Sequence, residues 1–98
     1  MKTSEILFRA REIQLERGRA FDCFENIRGG VCMIGAVRLA CGAKSGHINF
    51  VGADRALHAI KKLVGKYTQD FSDDDCKTKY DMAAAFEIAA CCAAVDGK

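Results

Sequence analysis

Residues 31–43 read Val-Cys-Met-Ile-Gly-Ala-Val-Arg-Leu-Ala-Cys-Gly-Ala, and Arg38 is the only charged side chain among them. A helix of this length is too short to cross a bilayer, so the rest of the protein must shield it from water. We therefore predict a central apolar helix over residues 31–43. The small residues Cys32, Gly35 and Ala36 share one side of it, which predicts the close approach of a neighbouring helix.

The segments on either side of this stretch also carry helical patterns. Apolar residues recur every three or four positions, and the chain has no proline to interrupt a helix. Thr78 is the predicted N-cap of the last helix, with Asp81 completing a capping box. We predict three further helices, over 4–17, 53–67 and 79–95. In the connection 18–30 we predict a short helical turn that packs apolar side chains over the core. Residues 44–52 and 68–77 are predicted to be loops.

These elements predict an all-α fold: a compact four-helix domain with short connections around the central apolar helix 31–43. The second and the last of the four helices are expected to form the interior. A chain of 98 residues is expected to form a single helical domain over 1–98.

Composition argues against several protein classes. The apolar fraction of 50% is too high for a disordered chain, and the formal net charge of +2 does not by itself indicate nucleic-acid binding. No signal-peptide pattern follows Lys2, and no apolar run is long enough for a membrane span, so we expect a cytoplasmic protein. The six cysteines are expected to be free and mostly buried thiols, since four lie in apolar helical runs: Cys32, Cys41, Cys91 and Cys92.

Two segments resemble a known family. Residues 30–36, Gly-Val-Cys-Met-Ile-Gly-Ala, resemble the Cys-Ala-Leu-Gly-Ala signature of a small helical domain family of unknown function that is found in actinobacteria and their phages. Phe71-Ser72-Asp73, Lys77-Thr78 and Asp81-Met82 resemble the Trp-Asn-Asp, Arg-Thr and Asp/Glu-Val pattern of that family, in which the threonine begins the last helix. The resemblance covers about residues 5–93. It implies a compact helical fold and a phage origin, and it brings no known activity.

Catalytic and metal chemistry find little support in the sequence. Cys32 with His47 or His58 would be a thiol nucleophile and its base, but Cys32 lies among apolar residues, where a thiol is not activated. Cys23, Cys32 and Cys41 are nine residues apart and lack the close pairs of a structural zinc site. We therefore predict no catalytic residue, no metal ligand and no cofactor.

Two sets of residues are candidates for binding a partner. Arg55, His58 and Lys62 share one face of the helix predicted over 53–67, where they could grip an acidic protein patch or phosphates. Phe8 and Leu15 form a separate stripe on the first helix. Ile88 belongs to an apolar arc of the last helix that is wider than one contact needs, which raises the hypothesis of a homodimer.

The sequence therefore favours a small non-enzymatic cytoplasmic protein that acts by protein–protein interaction with a host or cellular protein. If it is phage-encoded, it would modulate a host factor. One alternative is a nucleic-acid-binding accessory protein that uses the basic face of helix 53–67. This is disfavoured because no aromatic residue is interleaved for base stacking. The other alternative is a thiol enzyme or metal-binding protein.

Overall fold

The computed structural model describes residues 1–98 and contains no β-strand. Its helices are α1 (Thr3–Arg17), α2 (Met33–Cys41), α3 (Ala53–Val64), α4 (Thr68–Asp70) and α5 (Lys79–Val95), and α4 continues directly into a π-helical stretch over Phe71–Asp75. The predicted all-α class is confirmed. The predicted count of four helices matches the four long ones and misses the helical segment over residues 68–75.

The first and last helices form the largest contact of the fold. They run antiparallel, since the Ser4 N–H donates to the Lys98 carbonyl (3.2 Å) at one end and Lys79 Nζ donates to the Leu15 carbonyl (2.8 Å) at the other. On α1, Ile6 and Leu7 are fully buried in the same core. The interior therefore includes α1 as well as the predicted second and last helices.

The predicted central helix is present but shorter than expected, over Met33–Cys41. Cys32 is its N-cap, because the Cys32 Sγ accepts a hydrogen bond from the Gly35 N–H (3.4 Å), and Gly42 ends it in the left-handed region at φ 111°. Met33 and Val37 have no exposed surface, as the apolar composition of the segment predicts.

The segment over 68–77 was wrongly predicted to be a loop. Its two hydroxyl side chains are buried and make hydrogen bonds to other helices: Thr68 Oγ1 donates to the Leu57 carbonyl (3.1 Å), and Ser72 Oγ accepts from the Met33 N–H (3.1 Å). The second bond satisfies a backbone donor that the start of α2 leaves without an intrahelical partner. The helical conformation of this segment thus depends on contacts distant in sequence.

The connection over 18–30 contains no helical turn, so that prediction is also wrong. It folds around Val31, whose backbone N–H donates to the Gly18 carbonyl (3.0 Å) and whose carbonyl accepts from the Ala20 N–H (3.1 Å). The buried Gln14 side-chain amide donates to the same two carbonyls, of Gly18 (3.0 Å) and Val31 (2.7 Å). Three apolar residues of this connection, Phe21, Phe24 and Ile27, belong to the predicted turn over the core. Phe21 and Ile27 are exposed, whereas Phe24 is half-buried, with the Arg38 guanidinium carbon 4.4 Å from its ring centroid.

The small residues of α2 do allow close packing, although Gly35 is approached by the connection rather than by a helix. The Cys32 N–H donates to the Phe24 carbonyl (3.2 Å), which brings that carbonyl against Gly35. A Cβ atom on Gly35 would overlap the carbonyl oxygen of Phe24 and lie 3.1 Å from its carbonyl carbon. The backbone of Gly46 lies against Gly35 as well.

Helix α5 has the predicted bounds and the predicted cap. Thr78 Oγ1 accepts from the Asp81 N–H (3.4 Å), and Asp81 Oδ2 accepts from the N–H groups of Thr78 (3.1 Å) and Lys77 (2.9 Å). Helix α3, predicted to reach Tyr67, ends at Val64, and Gly65 follows at φ 78°. Tyr67, the last residue of the predicted helix, therefore lies outside α3, and its side chain is exposed.

Candidate functional site

An open groove of about 1370 Å³ lies between the start of α1, one face of α3 and the C-terminal part of α5. Its apolar part comes from short or aliphatic side chains on α3 and α5: Ala59, Leu63, Ala89 and Ala93. Leu63 is 40% exposed although it belongs to the apolar side of α3. The groove therefore offers apolar surface to a ligand.

Basic side chains surround this apolar surface. The groove is lined by four Lys or Arg residues, namely Lys2, Arg55, Lys62 and Lys98, against the two acids Glu5 and Asp96. The groove thus carries an excess of positive charge.

The three residues predicted on one face of the third helix come together in this groove. Arg55, His58 and Lys62 are all exposed and all line it. Arg55 Nη2 donates to the Met1 carbonyl (3.1 Å), so its side chain reaches from α3 to the start of α1. His58 and Lys62 make no side-chain hydrogen bond or ion pair within the chain, so both are available to a ligand.

The two lysines that flank this set have other contacts. Lys61 Nζ lies 4.2 Å from the centroid of the Tyr67 ring, and Lys66 Nζ pairs with Asp75 Oδ2 at 3.2 Å. Neither lysine lines the groove. The basic face of α3 is therefore divided between the groove and a second set of contacts with residues 67–75.

The apolar candidates lie outside the groove. Phe8 is 36% exposed with the Arg11 guanidinium carbon 5.7 Å from its ring centroid, and Leu15 is half-buried. Ile88 is 53% exposed and lines a smaller cleft of about 410 Å³, which it shares with Leu63. The structure thus separates the candidates into a basic groove and an apolar surface on α1 and α5.

The contribution of residues 1–5 and 91–98 to the groove was not predicted. Lys2, Glu5, Cys92, Val95 and Lys98 line it because α1 and α5 are antiparallel and α3 crosses beside their paired ends. No local pattern signals this arrangement, because it depends on contacts between residues far apart in the sequence.

The thiols divide into protected and exposed groups. Cys32, Cys41 and Cys76 are buried and Cys23 is half-buried, whereas Cys91 and Cys92, expected to be core residues, are exposed on α5. Burial raises the pKa of the Cys32 and Cys41 thiols, and it raises that of Cys76 to about 11. A raised pKa is the opposite of the activation that a nucleophilic thiol requires.

The residues considered for a thiol enzyme or a zinc site are not brought together. Cys32 Sγ lies 3.7 Å from Gln69 Oε1, whereas His47 Nε2 lies 3.0 Å from the Glu25 carbonyl and His58 lies in the groove. Nowhere do three His, Cys, Asp or Glu side chains converge in an arrangement that could hold a metal ion.

Comparison with known proteins gives one match. Residues 1–91 match a family described as "Family of unknown function (DUF6197)", which confirms the expected likeness to a family of unknown function. No curated protein and no solved structure matches the chain. None of the helices combines the length and the apolar character that crossing a bilayer requires.

Proposed function

Because the chain belongs to this family of unknown function, which supplies no activity, we propose a function from the groove itself: the protein is a small non-enzymatic domain that binds an acidic segment of another protein. The observation that carries the proposal is the groove's combination of apolar surface with an excess of basic side chains. An amphipathic helix with acidic residues beside its apolar face has the complementary chemistry.

The dimensions of the groove suit a helical ligand. One wall is α3, whose 12 residues extend for about 18 Å, the length of roughly three helical turns. Apolar side chains of the ligand would cover Ala59 and Leu63, while its carboxylates would meet Arg55 and Lys62. Apolar contact would provide most of the affinity, and the charges would select acidic partners and speed association.

The same cations would attract phosphates, which makes nucleic acid the competing ligand. Two features favour a protein. No aromatic side chain lines the groove for base stacking, and its apolar surface would gain little from contact with a phosphate backbone. The finer part of the proposal is a phage-encoded modulator of a host factor, and the resemblance of residues 30–36 and 71–82 to the family found in actinobacteria and their phages supports it. If the protein is phage-encoded, we propose that it acts in the host cytoplasm.

The test uses a fluorescent peptide of about four helical turns, with leucines on one face and glutamates beside them, and a copy with glutamine in place of glutamate. We expect the acidic peptide to bind and the glutamine copy to bind at least about tenfold more weakly. Lys62→Glu should weaken binding of the acidic peptide about tenfold. Lys61→Glu is the matched control, since Lys61 is on the same helix but outside the groove, and it should change binding less than about twofold.

Amide chemical shifts locate the binding. Addition of the acidic peptide should move the amide resonances of Ala59, Leu63 and Ala89 and leave those of residues 21–28 unchanged. Absence of binding by the acidic peptide, or equal losses for the two lysine variants, would refute the proposal. Tighter binding of a single-stranded DNA, with affinity that falls steeply as salt rises, would favour the nucleic-acid alternative instead.

A further inference from the structure

Helix α5 has an exposed apolar face that the fold leaves uncovered. The face, called here the α5 stripe, consists of Tyr80, Ala84, Ile88, Cys91 and Val95, which recur every three or four residues along the helix. Ile88 is 53% exposed and Val95 is 88% exposed. Single exposed apolar residues are ordinary, but a continuous stripe along a whole helix indicates a surface for contact with another macromolecule.

The α5 stripe is also free of unpaired charge. Glu87, beside Ile88, accepts a hydrogen bond from Arg11 Nη1 at 2.7 Å. Asp81 is engaged by the backbone N–H groups at the start of α5. Most of the stripe therefore offers an occupant no unpaired charge, although Cys91 and Val95 at its C-terminal end also line the basic groove.

We propose that the α5 stripe binds the same stripe of a second copy of this chain, with the two α5 helices antiparallel. A two-fold axis beside Ile88 places this residue against Ile88 of the partner subunit. The same axis places Ala84 against Cys91 of the partner subunit and Tyr80 against Val95 of the partner subunit. Each larger side chain thus meets a smaller one or its own copy, which is the self-complementarity that a two-fold interface requires.

The charges at the ends of α5 favour the antiparallel orientation. Lys77 precedes the helix, and its Nζ contacts only the Asp74 carbonyl, at 3.5 Å. Asp96 follows the helix and forms no ion pair within the chain. Antiparallel pairing brings Lys77 of each copy towards Asp96 of the partner subunit. It also aligns the two helix dipoles in opposite directions, which is the favourable arrangement. A parallel pair would place like charges together at each end.

The available area predicts a weak dimer. The 17 residues of α5 extend for about 25 Å, and a helix with its side chains is about 12 Å wide, which gives on the order of 300 Å² per copy. Buried twice, this area is smaller than that of a stable specific interface, so we expect a dissociation constant of about micromolar or weaker.

Sedimentation velocity under reducing conditions tests the association. Over about 1 to 500 µM the sedimentation coefficient should rise from that of a monomer to that of a dimer. Ile88→Arg should raise the dissociation constant at least about tenfold. Val51→Arg, at a position that is 95% exposed and outside the stripe, should leave it unchanged. A monomer throughout this range, or a dimer that Ile88→Arg leaves intact, would overturn the proposal.

Cross-linking with a short bis-maleimide tests the orientation. The experiment uses two variants with different affinity tags. Both lack Cys23 and Cys92 and keep the three buried thiols. The first variant retains Cys91 as its reactive thiol, and the second carries Cys91→Ser together with Ala84→Cys. Antiparallel pairing predicts that the mixed pair of tags cross-links much faster than either variant with itself. Faster cross-linking within each variant would indicate a parallel arrangement and contradict the proposed interface.

Discussion

Replacement of Gly35 by alanine tests the close packing between α2 and the connection over 18–30. In an ordinary helix this substitution stabilises by about 1 kcal/mol, because alanine has the higher helix propensity. Here the added Cβ would overlap the Phe24 carbonyl oxygen and lie 3.1 Å from the carbonyl carbon. The neighbour is backbone rather than a flexible side chain, so the connection must move away from α2.

The expected loss follows from three contributions. Overpacking of this kind costs about 1–3 kcal/mol. Moving the connection weakens the hydrogen bond from the Cys32 N–H to the Phe24 carbonyl, now 3.2 Å long, which contributes about 0.5–1.5 kcal/mol. Helix propensity returns about 1 kcal/mol, and we therefore expect a net loss of about 2 kcal/mol, near the middle of the range of about 0.5–3.5 kcal/mol that these contributions span. For a domain of this size, a loss of about 2 kcal/mol lowers Tm by about 8–16 °C.

Urea unfolding followed by circular dichroism measures this loss, with Gly65→Ala as the matched control. Gly65 has φ 78°, and a methyl group added there would have nothing within 4 Å, so its replacement costs about 1 kcal/mol of backbone strain and no clash. We expect Gly35→Ala to be the more destabilising of the two at an unchanged m-value. A Gly35→Ala protein that is as stable as the wild type, or more stable, would refute the packing argument.

Three further predictions concern buried and capping groups. Gln14→Leu should change the free energy of unfolding by less than about 1 kcal/mol. Both carbonyls that accept from the Gln14 amide keep a backbone donor, and the substitution removes the unpartnered Gln14 Oε1. Gln14→Ala, which leaves a cavity, should lower the free energy of unfolding by about 2–4 kcal/mol, as measured by urea unfolding. With an alkylating reagent at about pH 8, mass spectrometry should find Cys91 and Cys92 modified first, and Cys76, whose pKa is raised to about 11, modified only after unfolding. Backbone hydrogen bonds hold the pKa of Asp81 below its ordinary value of 3.8, so its contribution to stability is present above that pH and is lost as the pH falls through the folded-state pKa. Thermal melts at descending pH should therefore show a smaller loss of Tm for Asp81→Asn than for the wild type, and an equal loss would contradict this assignment.

The parts of the fold that local chemistry determines were predictable from the sequence. The start of α5 follows from Thr78 and Asp81, which cap it with their own side chains, and α1 ends where Gly18 follows Arg17. The same applies to the shared face of Arg55, His58 and Lys62, since helical periodicity alone places these residues together.

The parts that depend on distant contacts were not predictable. Residues 68–75 look polar and loop-like, and they become helical because Thr68 and Ser72 bind backbone groups of other helices. Phe21 and Ile27 look like core residues, but the backbone bonds at Val31 fix the connection with these side chains outside. The groove itself needs the ends of α1 and α5 beside α3, and no spacing within one helix reports that placement.

The antiparallel pairing of α1 with α5 also has a consequence for synthesis. The contact between Arg11 and Glu87 closes a loop of 76 residues, so α1 has no permanent partner on that side until α5 has left the ribosome. The entropy of closing so long a loop grows slowly with length, by about 0.6 kcal/mol per doubling, but contacts of large sequence separation slow folding. During translation, the apolar side of α1 would remain open to chaperones until α5 has emerged, and the native structure could be completed only from that point.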